Sequence, residues 1–207
     1  MATLNFPTLT RDSPSELTEW KPVSNTKRHV SPYTQSLDTL GMVGTRWAFG
    51  ARWKNLLIAD RALIEAWLAE MDGLNGRFYY SHPLWTVPRG TARGTGTCSA
   101  ASQLATTITL NGLASGATML KGDFIEIGTG LLVRATANGT ASGGGVITNL
   151  AIAPMLRTAV AGATAFTLVA PKAQFMFAEE NLPGMPVLPG PGGLGLGDFE
   201  MSCIEAF

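Results

Sequence analysis

His29, His82, Cys98, Asp123 and Glu126 are the residues whose types and spacing invite chemistry. A hydrolytic triad or a metal site needs an oriented imidazole with carboxylate or thiol partners. Cys98 follows His82 by sixteen residues, but no nucleophile elbow or helix start accompanies it to lower the thiol pKa. Asp123 and Glu126 lie three apart, and a glycosidase pair would have to converge in a cleft. Lys121-Gly122-Asp123 reads better as a turn feeding a strand at Phe124–Ile127. Gly190, Gly192 and Gly195 spell GxGxxG. However, no strand runs into this pattern, no helix leaves it, and Pro191 stands where a nucleotide turn wants a free amide. Lys121 lacks the glycine frame of a P-loop. Cys98 and Cys203 belong to no CxxC pair and are too few for a disulfide framework, so two reduced, buried thiols are expected. The sequon Asn138-Gly139-Thr140 has meaning only on a secretory route. The expectation is no catalytic residue, no cofactor and no metal: a non-enzyme.

The elements around these residues are clearest in the first 82 positions. Short extended pieces occur at Leu4-Asn5-Phe6 and Glu19-Trp20-Lys21, and Thr26 to Ser36 reads as a loop or an arm. Trp47, Phe49, Ala51 and Trp53 alternate with polar and small neighbours, which predicts a strand at about 45–54. A helix follows, with Asp60 as N-cap, Leu63, Ala66, Trp67 and Leu68 on one face, and Gly73 as the left-handed residue that ends it. Arg77-Phe78-Tyr79-Tyr80 starts another strand. Pro83 and Pro88 bracket an exit, and Gly90 to Thr97 reads as a linker. Five strands are expected at 106–110, 124–127, 131–135, 146–152 and 165–169, with glycine turns between them. That spacing predicts a small barrel or sandwich. Ala173 to Ala178 and Asp198 to Phe207 read as strands returning to the first unit. The aromatics Trp47, Trp53, Trp67, Phe78, Tyr79 and Tyr80 fit a core better than a sugar platform.

The texture of the chain changes in its middle. Residues 88–170 are rich in Gly, Ala and Thr and nearly uncharged, and the texture then changes back. One domain interrupted by another is expected: residues 1–87 plus 171–207, with 88–170 inserted. The fold class is mainly β with one helix, an α+β hub carrying a small β-barrel or sandwich. Only 14% of the 207 residues are charged, against about 25% in typical soluble domains. Low charge with many turns fits β structure covered by neighbouring subunits. Net charge runs +1 over residues 1–82, +3 over 83–170 and −4 over 171–207. The scattered middle cations form no patch of nucleic-acid size. No basic-then-apolar leader opens the sequence, and no apolar run is long enough to span a membrane.

The order of motifs resembles the distal tail proteins and related tail-tip hub proteins of long-tailed (siphovirus-type) bacteriophages. It comprises Thr45-Arg46-Trp47-Ala48-Phe49, then Ala66-Trp67-Leu68-Ala69-Glu70-Met71-Asp72-Gly73, Gly76-Arg77-Phe78-Tyr79, Pro88-Arg89-Gly90, Lys121 to Gly128 and Ile152 to Arg157. The resemblance spans roughly residues 40–178. It implies a hub carrying an inserted barrel of OB or galectin-like type. Six copies would form a ring that joins the tail tube to the tip and baseplate proteins. DNA would pass through the lumen without specific binding, the chain would reside in the virion tail after synthesis in the host cytoplasm, and no membrane would be entered. The first 40 residues and the segment 181–197 carry no matching signature.

Leu182, Met185, Val187, Leu188, Leu194 and Leu196 lie in that Pro/Gly segment. They would be covered by a partner or packed on their own domain, and they are the candidate interface. Two other readings compete: a carbohydrate-binding module for host surfaces, and another virion connector or tube subunit. The single aromatic in residues 88–165, Phe124, argues against the first.

Overall fold

Alternation of large apolar residues with polar ones builds the central strand. Trp47, Phe49, Ala51 and Trp53 are buried, while Arg46, Ala48, Arg52 and Lys54 between them stay partly open, as a period of two requires. In the computed structural model, which describes residues 3–11, 13–179, 187–188 and 196–206, this strand is β3 (Leu37–Leu56). It pairs antiparallel with β2 (Glu16–Val30). Both belong to a seven-stranded sheet with β1 (Thr3–Asn5), β4 (Arg77–Ser81), β13 (Lys172–Phe177), β14 (Val187–Leu188) and β15 (Leu196–Glu205). The order is β1-β4-β13-β15-β3-β2, with β14 beside β15. Among the described strands only β1 and β4 run parallel.

The rest of the chain between β4 and β13 closes on itself. It contributes β5 (Thr95–Cys98), β6 (Thr107–Asn111), β7 (Thr118–Met119), β8 (Phe124–Ile127), β9 (Leu131–Ala135), β10 (Gly139–Thr140), β11 (Ile147–Ala153) and β12 (Thr164–Thr167). Six of these form a closed barrel, β11-β6-β5-β12-β8-β9, and β7 pairs with β10. The protein is therefore mainly β with one helix and a small barrel, and closure decides for a barrel over an open sandwich. The five strands expected here are β6, β8, β9, β11 and β12.

The segment expected as a linker at 90–97 is in part β5. Its glycine is a packing residue: a Cβ on Gly96 would lie 2.2 Å from the Asn111 carbonyl oxygen and 2.8 Å from the Phe166 ring. Only a residue without a side chain lets these groups approach so closely.

The helix α1 (Ile58–Glu70) also differs in detail from the sequence expectation. Leu57 is its N-cap, and Asp60 sits inside the first turn. There the Asp60 carboxylate accepts the backbone N–H and the hydroxyl of Thr10, both at 2.9 Å, at the end of the helix where the dipole favours an anion. The buried face is Asp60, Ile64, Trp67 and Leu68, with Met71 just beyond. Leu63 and Ala66, expected on that face, point outward. At the other end Asp72 is the first left-handed residue (φ 49°), with Gly73 also positive.

Two hydrophobic clusters result. One lies between α1 and the sheet, where Trp67 meets Phe78 edge-on at 5.0 Å and Phe49 stacks on Tyr80 at 4.9 Å. The other fills the barrel around Ile108, Leu110, Ile125, Val133 and Phe166. Phe124 and Leu132 come from barrel strands yet pack in the sheet cluster. The barrel is thereby seated on the sheet.

Candidate functional site

The carboxylates that could have formed a catalytic pair serve the backbone instead. Asp123 is 4% exposed. Its Oδ1 accepts the Arg89 N–H at 3.0 Å, and its Oδ2 accepts the Leu120 N–H at 2.8 Å. The second bond closes the turn before β8, and the first ties down the chain entering the barrel. Glu126 accepts the N–H of Gly130 at 3.3 Å and of Lys172 at 2.9 Å. Lys172 opens β13, so this carboxylate holds the chain where it leaves the barrel. Each group is occupied by backbone donors, which satisfies a charge without offering it to a substrate.

His82 and Cys98 are not a dyad in this arrangement. Cys98 lies in the barrel core, whereas His82 stacks on Phe124 at 5.7 Å and meets Trp20 edge-on at 4.6 Å. Its Nδ1 accepts the N–H groups of Leu84 and Trp85 at 3.1 and 3.2 Å. Burial, with Arg134 assisting, pushes the imidazole pKa down to about 4. It is a neutral acceptor that shapes the exit loop. Burial pushes the Cys98 thiol up to about 11 and raises Cys203 as well. Neither is bridged, and both are buried. No group of three His, Cys, Asp or Glu among the described residues could hold a metal ion.

The clefts lined by described residues bring no two carboxylates together. One of about 320 Å³ beside the start of α1 is lined by Thr10, Arg11, Trp53, Lys54, Asn55 and Asp60, among others. Its one carboxylate among the described residues, Asp60, is already held by Thr10. The aromatics weighed as a sugar platform are core: Trp47, Trp53, Trp67, Phe78 and Tyr80 are buried, and Tyr79 is half-buried.

Several large apolar side chains are exposed. The distal halves of β2 and β3 form a two-stranded ribbon in which Val30 faces Leu37 and Lys27 faces Leu40. Every described side chain from Ser24 to Leu40 is exposed except Ser31 at the tip, which is half-exposed. Tyr33 is 94% exposed at the turn, and Leu40 is 64% exposed. A second apolar surface is the outward face of α1, with Leu57, Ile58 and Leu63 each about half exposed. A third is the barrel junction, with Leu84, Trp85, Val87 and Val169. These positions escaped sequence reasoning.

Of the six candidate interface residues, Leu182, Met185 and Leu194 lie outside the described residues, as does the GxGxxG pattern. Val187, Leu188 and Leu196 lie in strands, with Val187 opposite Gly197 and Leu188 opposite Leu196.

No helix among the described residues is long and apolar enough to cross a membrane. No protein-family model matches the chain, and no curated protein matches it.

Proposed function

We propose that this protein is a structural component of a long-tailed phage tail tip, a non-enzymatic subunit of a ring, six copies in all, that joins the tail tube to the tip and baseplate proteins. The hub in this reading is residues 1–87 with 171–207, and the barrel at 88–170 is an insertion carried on it. The observation that carries the reading is the pairing of a sheet built from both ends of the chain with a ribbon that leaves the sheet bearing exposed apolar side chains. A closing ring needs heterologous contacts, in which one surface meets a different surface of the next copy. The long open edge of β2 and the exposed ribbon supply surfaces of that kind. The sequence resemblance supports the same reading.

The low charge fits as well. Ions buried between subunits without partners cost several kcal/mol each, and a lumen that conveys DNA should not hold it through a basic patch. In virions, antibody against this chain should label the junction of tail tube and tip. Label on the head, or particles without label, would reject the assignment.

A further inference from the structure

We propose that Arg89 and Arg134, brought together over Gly122 where barrel meets sheet, form a binding site for one small oxyanion, a phosphate or carboxylate group. The turn that enters β8 makes the site. Gly122 has a φ of 103° there, and the point that a Cβ would occupy lies 3.2 Å from Nη2 of Arg89 and 3.3 Å from Nη2 of Arg134. Two guanidinium groups thus meet over a residue that has no side chain to part them. Each is fixed from its own side. Arg89 donates to the Lys121 carbonyl and lies 5.8 Å from the centre of the Trp85 ring. Arg134 stands opposite Phe124 in the β8–β9 ladder, donates from Nε to the Gly122 carbonyl at 2.8 Å and lies 5.1 Å from the centre of the Phe124 ring. Carbonyls and ring faces hold a cation in place without cancelling its charge. Because both side chains are already ordered, a ligand loses little in immobilising them.

The nearby carboxylates are spent. Oδ1 of Asp123 accepts the Arg89 N–H at 3.0 Å and stands 3.5 Å from Arg89 Nε. Oδ2 accepts the Leu120 and Gly90 N–H groups at 2.8 and 3.5 Å. Glu126, further along β8, accepts the N–H groups of Gly130 and Lys172. Setting Asp123 against Arg89 still leaves Arg134, which has no ion pair among the described residues. Exposed Lys121 adjoins Gly122 in the chain. Like charges this close repel, and an oxyanion between the two forks relieves the repulsion while accepting from both. The Arg89 side chain is 47% exposed, so the pair opens to solvent. Three cations suit one small anion and fall far short of a nucleic-acid groove. The site needs no second copy, so the failure of rings to form would leave it standing.

The probe is sulfate, a phosphate mimic that does not titrate near neutral pH, set against chloride at equal ionic strength. Equilibrium dialysis of the full chain should show saturable binding of a single sulfate. Arg134→Gln and Arg89→Gln should each weaken it roughly tenfold or more, and Lys27→Gln on the ribbon should leave it unchanged. Uptake that does not saturate, or equal loss in Lys27→Gln, would overturn the site. A second reading needs no variant. Trp20, Trp85 and Phe124 surround the His82 ring without charge, and Arg134 is the cation that helps keep it neutral. An anion on Arg134 should therefore raise the His82 pKa, and an NMR titration that gives the same value in sulfate and in chloride would count against the proposal. Phosphate and acetate as competitors then read the class: the one that displaces sulfate at lower concentration names the group, and displacement by neither would overturn the site.

Discussion

Glu205 has no solvent exposure, yet it joins three parts of the chain. Its Oε2 accepts the Trp47 N–H at 2.9 Å, and its Oε1 is paired with Arg157, in the segment after β11. Burial raises the carboxyl pKa against the opposing pull of Arg157 and that N–H. Such a pair gives position more than stability, because desolvation consumes much of the attraction. His82 makes a prediction that can be checked directly. The folded imidazole takes its proton only near pH 4, whereas the unfolded one does so near 6.5. Between those values the unfolded chain binds the extra proton. Stability present at pH 7 is therefore lost as pH falls, by about 1–3 kcal/mol once solvent screening is allowed for. An NMR titration should find the His82 ring neutral at pH 5, and protonation near 6.5 would refute its burial as the controlling cause. At this scale the sequence exposed the local part of Asp123, its turn with Leu120, but not its hold on Arg89. It hid Glu126 and Glu205, whose partners lie at Lys172 and Trp47 and come close only through the fold.

Strands were more legible than residues because a period of two survives without tertiary information. Alternation in Trp47 to Trp53 marked the centre of β3, and glycine turns framed the five barrel strands. The reach of β2 and β3 into a ribbon was not legible, since exposed strands carry no buried face to impose a period. The helix shows the converse. In Ile58 to Met71 apolar residues flank the charged ones on both sides, so the pattern put Leu63 and Ala66 on the buried face with Trp67 and Leu68, whereas the structure buries Ile64 with Trp67 and Leu68 and leaves Leu63 and Ala66 outside. Two substitutions separate these faces. Trp67→Ala should destabilise the fold by about 3–5 kcal/mol, and Leu63→Ala should change monomer stability by under about 1 kcal/mol. Denaturant unfolding of both variants at a concentration that keeps the chain monomeric measures this. Equal losses would mean that α1 packs on the other face.

The whole molecule depends on how barrel and sheet are joined. Phe124 and Leu132 project from the barrel into the sheet cluster, and the Trp47 indole N–H donates to the Leu132 carbonyl at 2.9 Å. Arg157 and Glu205 add a buried ion pair across the same boundary. Calorimetry should accordingly show one cooperative transition for the native chain. Phe124→Ala should split it in two as the coupling between clusters weakens; two transitions in the native chain would mean that the units are independent. The composition changes at residue 88, but nothing in the sequence marks this seam, because its residues are scattered over more than 150 positions.

The ring remains the claim on which function turns. The most direct measurement is the native mass of the purified chain across a concentration series, with negative-stain images of the same sample. The expected result is a discrete multimer, a six-fold ring with an open centre. A strict monomer at high concentration, both alone and mixed with the tail tube protein, would contradict it.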